Sequence, residues 1–116
     1  MIDSHCHLDQ EPLFENINDI LVKAKGVGIN KLLTICTTLK SFDRIKHLVN
    51  IDPIIYGTFG IHPHETEKNI KVNTKFILNS IYNNKKIIGV GETGLDYYYN
   101  HSDKKIQRES FIGHIN

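Results

Sequence analysis

The chain has 116 residues, the length of one domain, and its 40% hydrophobic content is enough for a globular core. Its 14 Lys and Arg residues against 13 Asp and Glu give a formal charge of +1, which excludes recognition of a nucleic acid or a membrane through a broad basic surface. The two cysteines are too few for a disulfide framework and predict free thiols in a reducing compartment. The sequence shows no secretory signal and no run of about 18 apolar residues, which predicts a cytoplasmic protein without membrane association.

Short apolar segments of strand length alternate with segments of helical periodicity. The predicted strands cover 1–5, 31–36, 53–60 and 86–91. The predicted helices cover 13–28, 41–50, 70–82 and 103–116. Ser41 and Ser102 are the predicted N-caps of the second and fourth helices, and Phe42, Ile45 and Val49 are expected on the buried face of the second.

The order of these elements, strand then helix four times, is typical of βα units that build a parallel sheet. The strands are almost entirely apolar, which predicts a sheet covered on both faces. Four units are too few for a closed (β/α)8 barrel, which takes about 250 residues. The pattern therefore leaves two architectures open, a small open α/β domain and the first half of a barrel.

Polar clusters follow the first, third and fourth predicted strands, and active sites form where parallel strands end. His5 and His7 are two apart in an extended segment, so both imidazoles face the same side and can reach one cation. Glu92 follows a strand that ends in Gly-Val-Gly and can contribute a metal-binding carboxylate. Each cluster also has a simpler interpretation, a flexible tail for the histidine pair and a surface turn for Glu92.

The loop "HPHE" places His62 and His64 after the third strand, where they could bind a metal or hydrogen-bond an anionic substrate oxygen, or could simply be exposed. Asp96 could orient a ligand or cap its loop. The tyrosines at 97–99 could stack on a base or pack in the fold. The remaining histidines, which lie outside these clusters, are expected at the surface: His47, His101 and His114.

The motifs "DSHCHLD", "GIHPHE" and "IGVGETGLDYYY", in this order, resemble the TatD-type metal-dependent hydrolases, which are DNase-like members of the amidohydrolase superfamily. The resemblance implies a (β/α)8 barrel with a divalent-metal site at the carboxyl ends of its strands. It makes His5 and His7 a ligand pair and Glu92 a metal-binding and catalytic carboxylate. It assigns His62 to the pocket near a substrate phosphate, with His64 beside it. Asp96 and Tyr97 match the third motif in supporting positions.

The resemblance covers only the N-terminal half of the family, whose later histidines and aspartate have no counterpart here. Residues 1–116 are therefore expected to form one partial TIM-barrel domain of four βα units, truncated within the fourth helix. The implied reaction is hydrolysis of DNA phosphodiester bonds with one or two divalent cations, Mg²⁺, Mn²⁺ or Zn²⁺. Alternatively, the chain is a non-catalytic metal-binding fragment, a decayed gene product, or one half of a split hydrolase that self-associates or pairs with a complementing C-terminal half. A further alternative keeps the metal but changes the reaction to hydrolysis of an amide or cyclic ester.

Overall fold

A computed structural model describes residues 1–69 and 72–116 as a sheet of four parallel strands that alternate with helices. The strands are β1 (Ile2–Cys6), β2 (Lys31–Thr34), β3 (Ile55–Phe59) and β4 (Ile87–Val90). The α-helices are α1 (Ile17–Gly26), α2 (Leu39–Ile51), α3 (Thr74–Tyr82) and α4 (Lys104–Ile115). Two short 3₁₀ turns, Pro63–Glu65 and Glu67–Asn69, follow β3. The predicted order of four βα units is confirmed.

The spatial order of the strands decides between the two architectures that the sequence left open. The strands lie in the order β1-β2-β3-β4, each parallel to its neighbour. A doubly wound sheet reverses its strand order at a switch point, whereas a barrel wall adds each strand next to the preceding one. The sheet is therefore built like half of the wall of a (β/α)8 barrel.

The core lies between the sheet and the helices on one of its faces. Phe42, Ile45 and Val49 of α2 are buried against β3, which confirms the predicted apolar face of this helix. The rings of Phe42 and Phe59 meet edge to face with centroids 4.7 Å apart. A Cβ at Gly57 would lie 2.5 Å from Ile45 Cγ2, so the absence of a side chain there lets α2 approach β3 closely.

The opposite face of the sheet is not covered as the apolar strands had predicted. Ile88 and Val90 of β4 point away from the helices and are exposed. This prediction is wrong because the alternation of β4 gives it one buried side, at Ile87, and one open side. Within the described residues no helix combines the length and the apolar character needed to cross a membrane.

The helix boundaries differ from the predicted ones at their first turns. Thr38, not Ser41, caps α2, because its side chain accepts a hydrogen bond from the backbone N–H of Ser41. Asp103, not Ser102, caps α4, since its carboxylate accepts from the N–H groups of Lys105 and Ile106. Helix α1 begins four residues later than predicted. Helix α3 begins at Thr74, and the predicted helical residues 70 and 71 lie outside the described residues.

Candidate metal centre

The carboxyl ends of β1, β3 and β4 bring the three polar clusters of the sequence to one open cavity of about 400 Å³. Eight side chains at or just after the carboxyl ends of the four strands line it: His5, His7, Gln10, Thr37, His62, His64, Glu65 and Glu92. The five residues predicted to bind a metal or a substrate are all among them. Parallel strands end at the same edge of the sheet, which is why residues up to 87 positions apart meet here.

His5, His7 and Glu92 are close enough to share one cation. Each offers one ligand atom, and these atoms all lie within 4.8 Å of one another. The Nδ1 of His7 lies 3.1 Å from the backbone oxygen of Ile35, to which it can donate a hydrogen bond. In that tautomer Nε2 keeps its lone pair for a metal, and the carbonyl holds the ring in place. Two imidazoles and a carboxylate suit a catalytic divalent cation.

Backbone hydrogen bonds hold the end of β4 against β3 immediately before Glu92. The N–H of Gly91 donates to Phe59 O at 2.8 Å, and the N–H of Glu92 donates to Cys36 O at 2.7 Å. A Cβ at Gly60 would lie 2.5 Å from Gly91 C and 2.7 Å from Glu92 O. Such a close approach of two backbones requires glycine at position 60. The position of Glu92 is thus set by main-chain contacts.

His62 lies beside Glu92, with its Nε2 3.6 Å from the nearer carboxylate oxygen. Burial lowers the pKa of His62 and outweighs the opposing charge of Glu92, so the ring is neutral at pH 7. Its Nδ1 accepts a hydrogen bond from the backbone N–H of His64 at 3.2 Å. The proton of the neutral ring is therefore on Nε2, and His62 can donate it in the cavity.

His64 and Asp96 form a hydrogen-bonded pair, Nε2 to Oδ2 at 2.7 Å. The hydrogen bond from His64 lowers the pKa of Asp96, which stays ionised. The other oxygen of Asp96 accepts from the backbone N–H groups of Tyr98 and Tyr99, so this residue both orients His64 and caps its own loop. Tyr97 is not brought to the cavity, because its ring lies against Lys104, with the Nζ 5.4 Å from the ring centroid.

His114 holds the segment that leads to His62, whereas the sequence pattern predicted it at the surface, and that prediction is wrong. Its ring is half-buried, and its Nε2 accepts a hydrogen bond from the backbone N–H of Ile61 at 3.1 Å. Its Nδ1 donates to Ser110 O at 2.7 Å. Burial lowers the pKa of His114, which keeps the ring neutral and able to accept. Helix α4 thereby holds the residue that precedes His62.

Gln107 is a second residue of α4 that the motifs did not reveal. Its side chain is fully buried, its Oε1 accepts from the N–H of Asp96 at 2.8 Å, and its Nε2 donates to Asp96 O and Ser102 O. These bonds fix the loop between β4 and α4 at Asp96 and at Ser102. A polar side chain spaced to face the fold interior was the one signal in the sequence that could have singled it out.

Known proteins resemble this chain along nearly all of its length. A family model described as TatD related DNase matches residues 2–116. An uncharacterized metal-dependent hydrolase of Buchnera aphidicola subsp. Baizongia pistaciae is 37% identical over 118 residues, which cover 99% of this chain and 44% of the relative. A 3'-5' ssDNA/RNA exonuclease TatD of Escherichia fergusonii is 25% identical over 115 residues, 99% of this chain and 44% of the relative.

Among solved structures, the crystal structure of YjjV, a TatD homologue from Escherichia coli K12, superimposes with a TM-score of 0.87 at 26% identity. The match covers 99% of this chain and 45% of that one. The chain therefore spans less than half the length of the relatives and the structure that it matches.

Proposed function

The chain belongs to the TatD-related DNase family, and from this we propose that it is the metal-binding part of a hydrolase that cleaves phosphodiester bonds of DNA. The observation that carries the proposal is the meeting of His5, His7 and Glu92, whose ligand atoms lie within 4.8 Å of one another at the carboxyl edge of the sheet. Active sites of parallel α/β folds lie at this edge. The names of the relatives, metal-dependent hydrolase and exonuclease, support the same reaction class.

His5, His7 and Glu92 are the proposed ligands of one or two divalent cations, with Mg²⁺, Mn²⁺ and Zn²⁺ as the candidates. A cation bound there would lower the pKa of a water and stabilise charge on a phosphoryl oxygen. The role of the surrounding protein is to hold these three ligands in position. His7 is oriented by the carbonyl of Ile35, and Glu92 is fixed by the backbone contacts around Gly91.

His62 and His64 are the proposed substrate-binding residues. The neutral ring of His62 can direct its Nε2–H at a phosphoryl oxygen, since its Nδ1 is already occupied by the N–H of His64. His64 donates its Nε2–H to the ionised Asp96, which fixes its ring in the lining of the cavity beside His62. A fixed donor such as the Nε2–H of His62 stabilises the charge that develops on the phosphate in the transition state.

A second function, metal binding without turnover, is favoured by the open side of the sheet. Ile88 and Val90 are exposed on the face opposite the helices, and β1 and β4 are the two outer strands of the sheet. We propose that this face is covered when the chain self-associates or pairs with a complementing half, as its share of the relatives' length suggests. Residues 1–116 then form one partial barrel domain that contributes ligands to a site completed elsewhere.

The test is hydrolysis of single- and double-stranded DNA by the purified chain with Mg²⁺, Mn²⁺ or Zn²⁺, combined with calorimetry of metal binding. Glu92→Gln should abolish both hydrolysis and the metal-binding heat. Glu15→Gln changes an exposed glutamate that precedes α1 and does not line the cavity; it is the matched control and should leave both unchanged.

Three outcomes separate the candidates. Metal-dependent cleavage lost in Glu92→Gln supports the hydrolase. Metal binding lost in Glu92→Gln without cleavage by the intact chain supports the non-catalytic function. Metal binding that survives in Glu92→Gln would contradict the assignment of the ligands.

A further inference from the structure

The loop after β4 exposes two aromatic rings next to the cavity. The side chains of Tyr98 and Tyr99 are 83% and 62% exposed, which is unusual for large rings with an apolar body. They meet edge to face, with centroids 4.9 Å apart and planes at 85°. Such an arrangement leaves ring faces open to solvent, where a planar ligand can stack on them.

A continuous series of ring contacts connects these tyrosines to the candidate metal centre. Tyr99 lies nearly parallel to His101, with an angle of 15° and centroids 5.9 Å apart. The ring of His101 is 4.5 Å from that of His64, and His64 is 4.5 Å from His62. Since His62 and His64 line the cavity, a chain that lies across Tyr98 and Tyr99 can continue directly to His5, His7 and Glu92.

The loop that carries the rings is held in one conformation. The carboxylate of Asp96 accepts from the N–H groups of both Tyr98 and Tyr99, and its backbone is fixed by the buried Gln107. The backbone of the loop therefore needs little ordering when a ligand binds, which favours affinity.

Positive charge lies beside the same loop. The first two turns of α4 carry Lys104, Lys105 and Arg108, which line a groove together with Tyr97. Cationic side chains next to exposed aromatic rings are the pattern by which proteins hold single-stranded nucleic acids, with phosphates on the cations and bases on the rings.

We propose that Tyr98 and Tyr99, supported by His101, form a stacking surface for bases of a single-stranded nucleic acid whose phosphodiester enters the cavity at His5, His7 and Glu92. This inference rests on the proposed function, because it assigns the residues that hold the bases of that substrate. A single strand is favoured over a duplex because its bases have open faces that can lie on the tyrosines. Every base has such a face, so the surface selects strandedness and not sequence.

The test measures, by fluorescence anisotropy, the binding of a short fluorescent deoxyoligonucleotide. Its affinity is compared with that of an oligonucleotide of the same length in which abasic sugars replace the bases. EDTA in the buffer prevents metal-dependent cleavage of the probe, and the titration is repeated with Mg²⁺. The intact chain should bind the base-containing strand about fivefold or more tightly than the abasic one. Tyr98→Ala and Tyr99→Ala should each reduce this ratio, and the double variant should bring it close to one.

Two controls isolate the stacking. Tyr98→Phe and Tyr99→Phe keep the ring and should retain the preference for bases. Tyr82→Ala removes an equally exposed tyrosine at the end of α3, 80% exposed, and should change nothing. The inference would be overturned by equal affinity of the intact chain for the base-containing and the abasic oligonucleotide. It would also be overturned if the double alanine variant kept the preference for bases or if the phenylalanine variants lost it. A duplex that binds as well as the single strand would do so too.

Hydrolysis of bis(p-nitrophenyl) phosphate, a diester without bases, separates a failure of this inference from a failure of the proposed function. Metal-dependent hydrolysis of this compound together with base-independent binding would refute the stacking surface alone. Base-dependent binding without any metal-dependent hydrolysis would support the stacking surface and refute the hydrolytic function of this chain.

Discussion

Replacement of Gly60 by alanine should damage the metal centre without touching any ligand. The new Cβ would lie 2.5 Å from Gly91 C and 2.7 Å from Gly91 Cα and Glu92 O. These are rigid backbone atoms, and ordinary contacts of a Cβ begin near 3.4 Å. The end of β4 must therefore move away from β3 by about 1 Å.

The size of that displacement decides its effect on metal binding. Metal–ligand bonds hold their lengths within about 0.2 Å, so a shift of about 1 Å at Glu92 takes its carboxylate out of reach of the cation held by His5 and His7. We expect the affinity for Zn²⁺ to fall by at least about tenfold. Overpacking of this kind also costs about 1–3 kcal/mol of the free energy of unfolding.

Gly89→Ala is the matched control in the same strand, because its Cβ would meet Thr58 Cγ2 at an ordinary 3.7 Å. Calorimetric titration with Zn²⁺ measures the affinity, and thermal denaturation followed by circular dichroism measures the stability. Gly60→Ala should be weaker in both measurements than Gly89→Ala and the parent chain. If Gly60→Ala binds Zn²⁺ and unfolds like Gly89→Ala, then the close backbone approach does not set the position of Glu92.

Three further predictions concern the residues that support the site. Gln107→Leu keeps the side-chain volume but leaves the backbone groups of Asp96 unpaired, so the free energy of unfolding should fall by about 2 kcal/mol or more in urea denaturation. Burial lowers the pKa of His114 below its unfolded value near 6.5, so the stability that this residue supports is complete above that pH and is lost as the pH falls. The free energy of unfolding should therefore fall less between pH 7 and pH 5 in His114→Gln, which does not titrate, than in the parent chain. Zn²⁺ at about 100 times its dissociation constant should raise the free energy of unfolding by about 2.7 kcal/mol, and EDTA should reverse this. The effect should be absent in His7→Ala and kept in His47→Ala, which changes an exposed histidine of α2.

The order of the elements could be predicted because it depends on local patterns. Apolar runs of strand length and the helical spacing of Phe42, Ile45 and Val49 are properties of adjacent residues, and the structure confirms them. The helix caps were missed by one to three residues because hydroxyl and carboxylate groups cluster before each helix. Which of them accepts the orphan N–H groups depends on backbone angles that the sequence does not state.

Contacts between distant residues mark the limit of prediction from this sequence. His5, His7 and Glu92 could be predicted to meet because parallel strands end at one edge. The bond from Ile61 to His114 joins residues 53 positions apart through a helix and a loop, and no periodicity indicates it. The exposed side of β4 could not be foreseen either, since an apolar strand does not reveal how many of its faces another layer will cover.

Helix α4 has a consequence for the time at which the site forms during synthesis. His5 and His7 leave the ribosome about a hundred residues before Gln107 and His114, which fix the loops after β4 and β3. At about 5–20 residues per second, translation separates the two events by roughly 5–20 s. The nascent chain thus carries the histidine pair well before Glu92 and the loops take their places, and α4 is needed to hold the segments after β3 and β4.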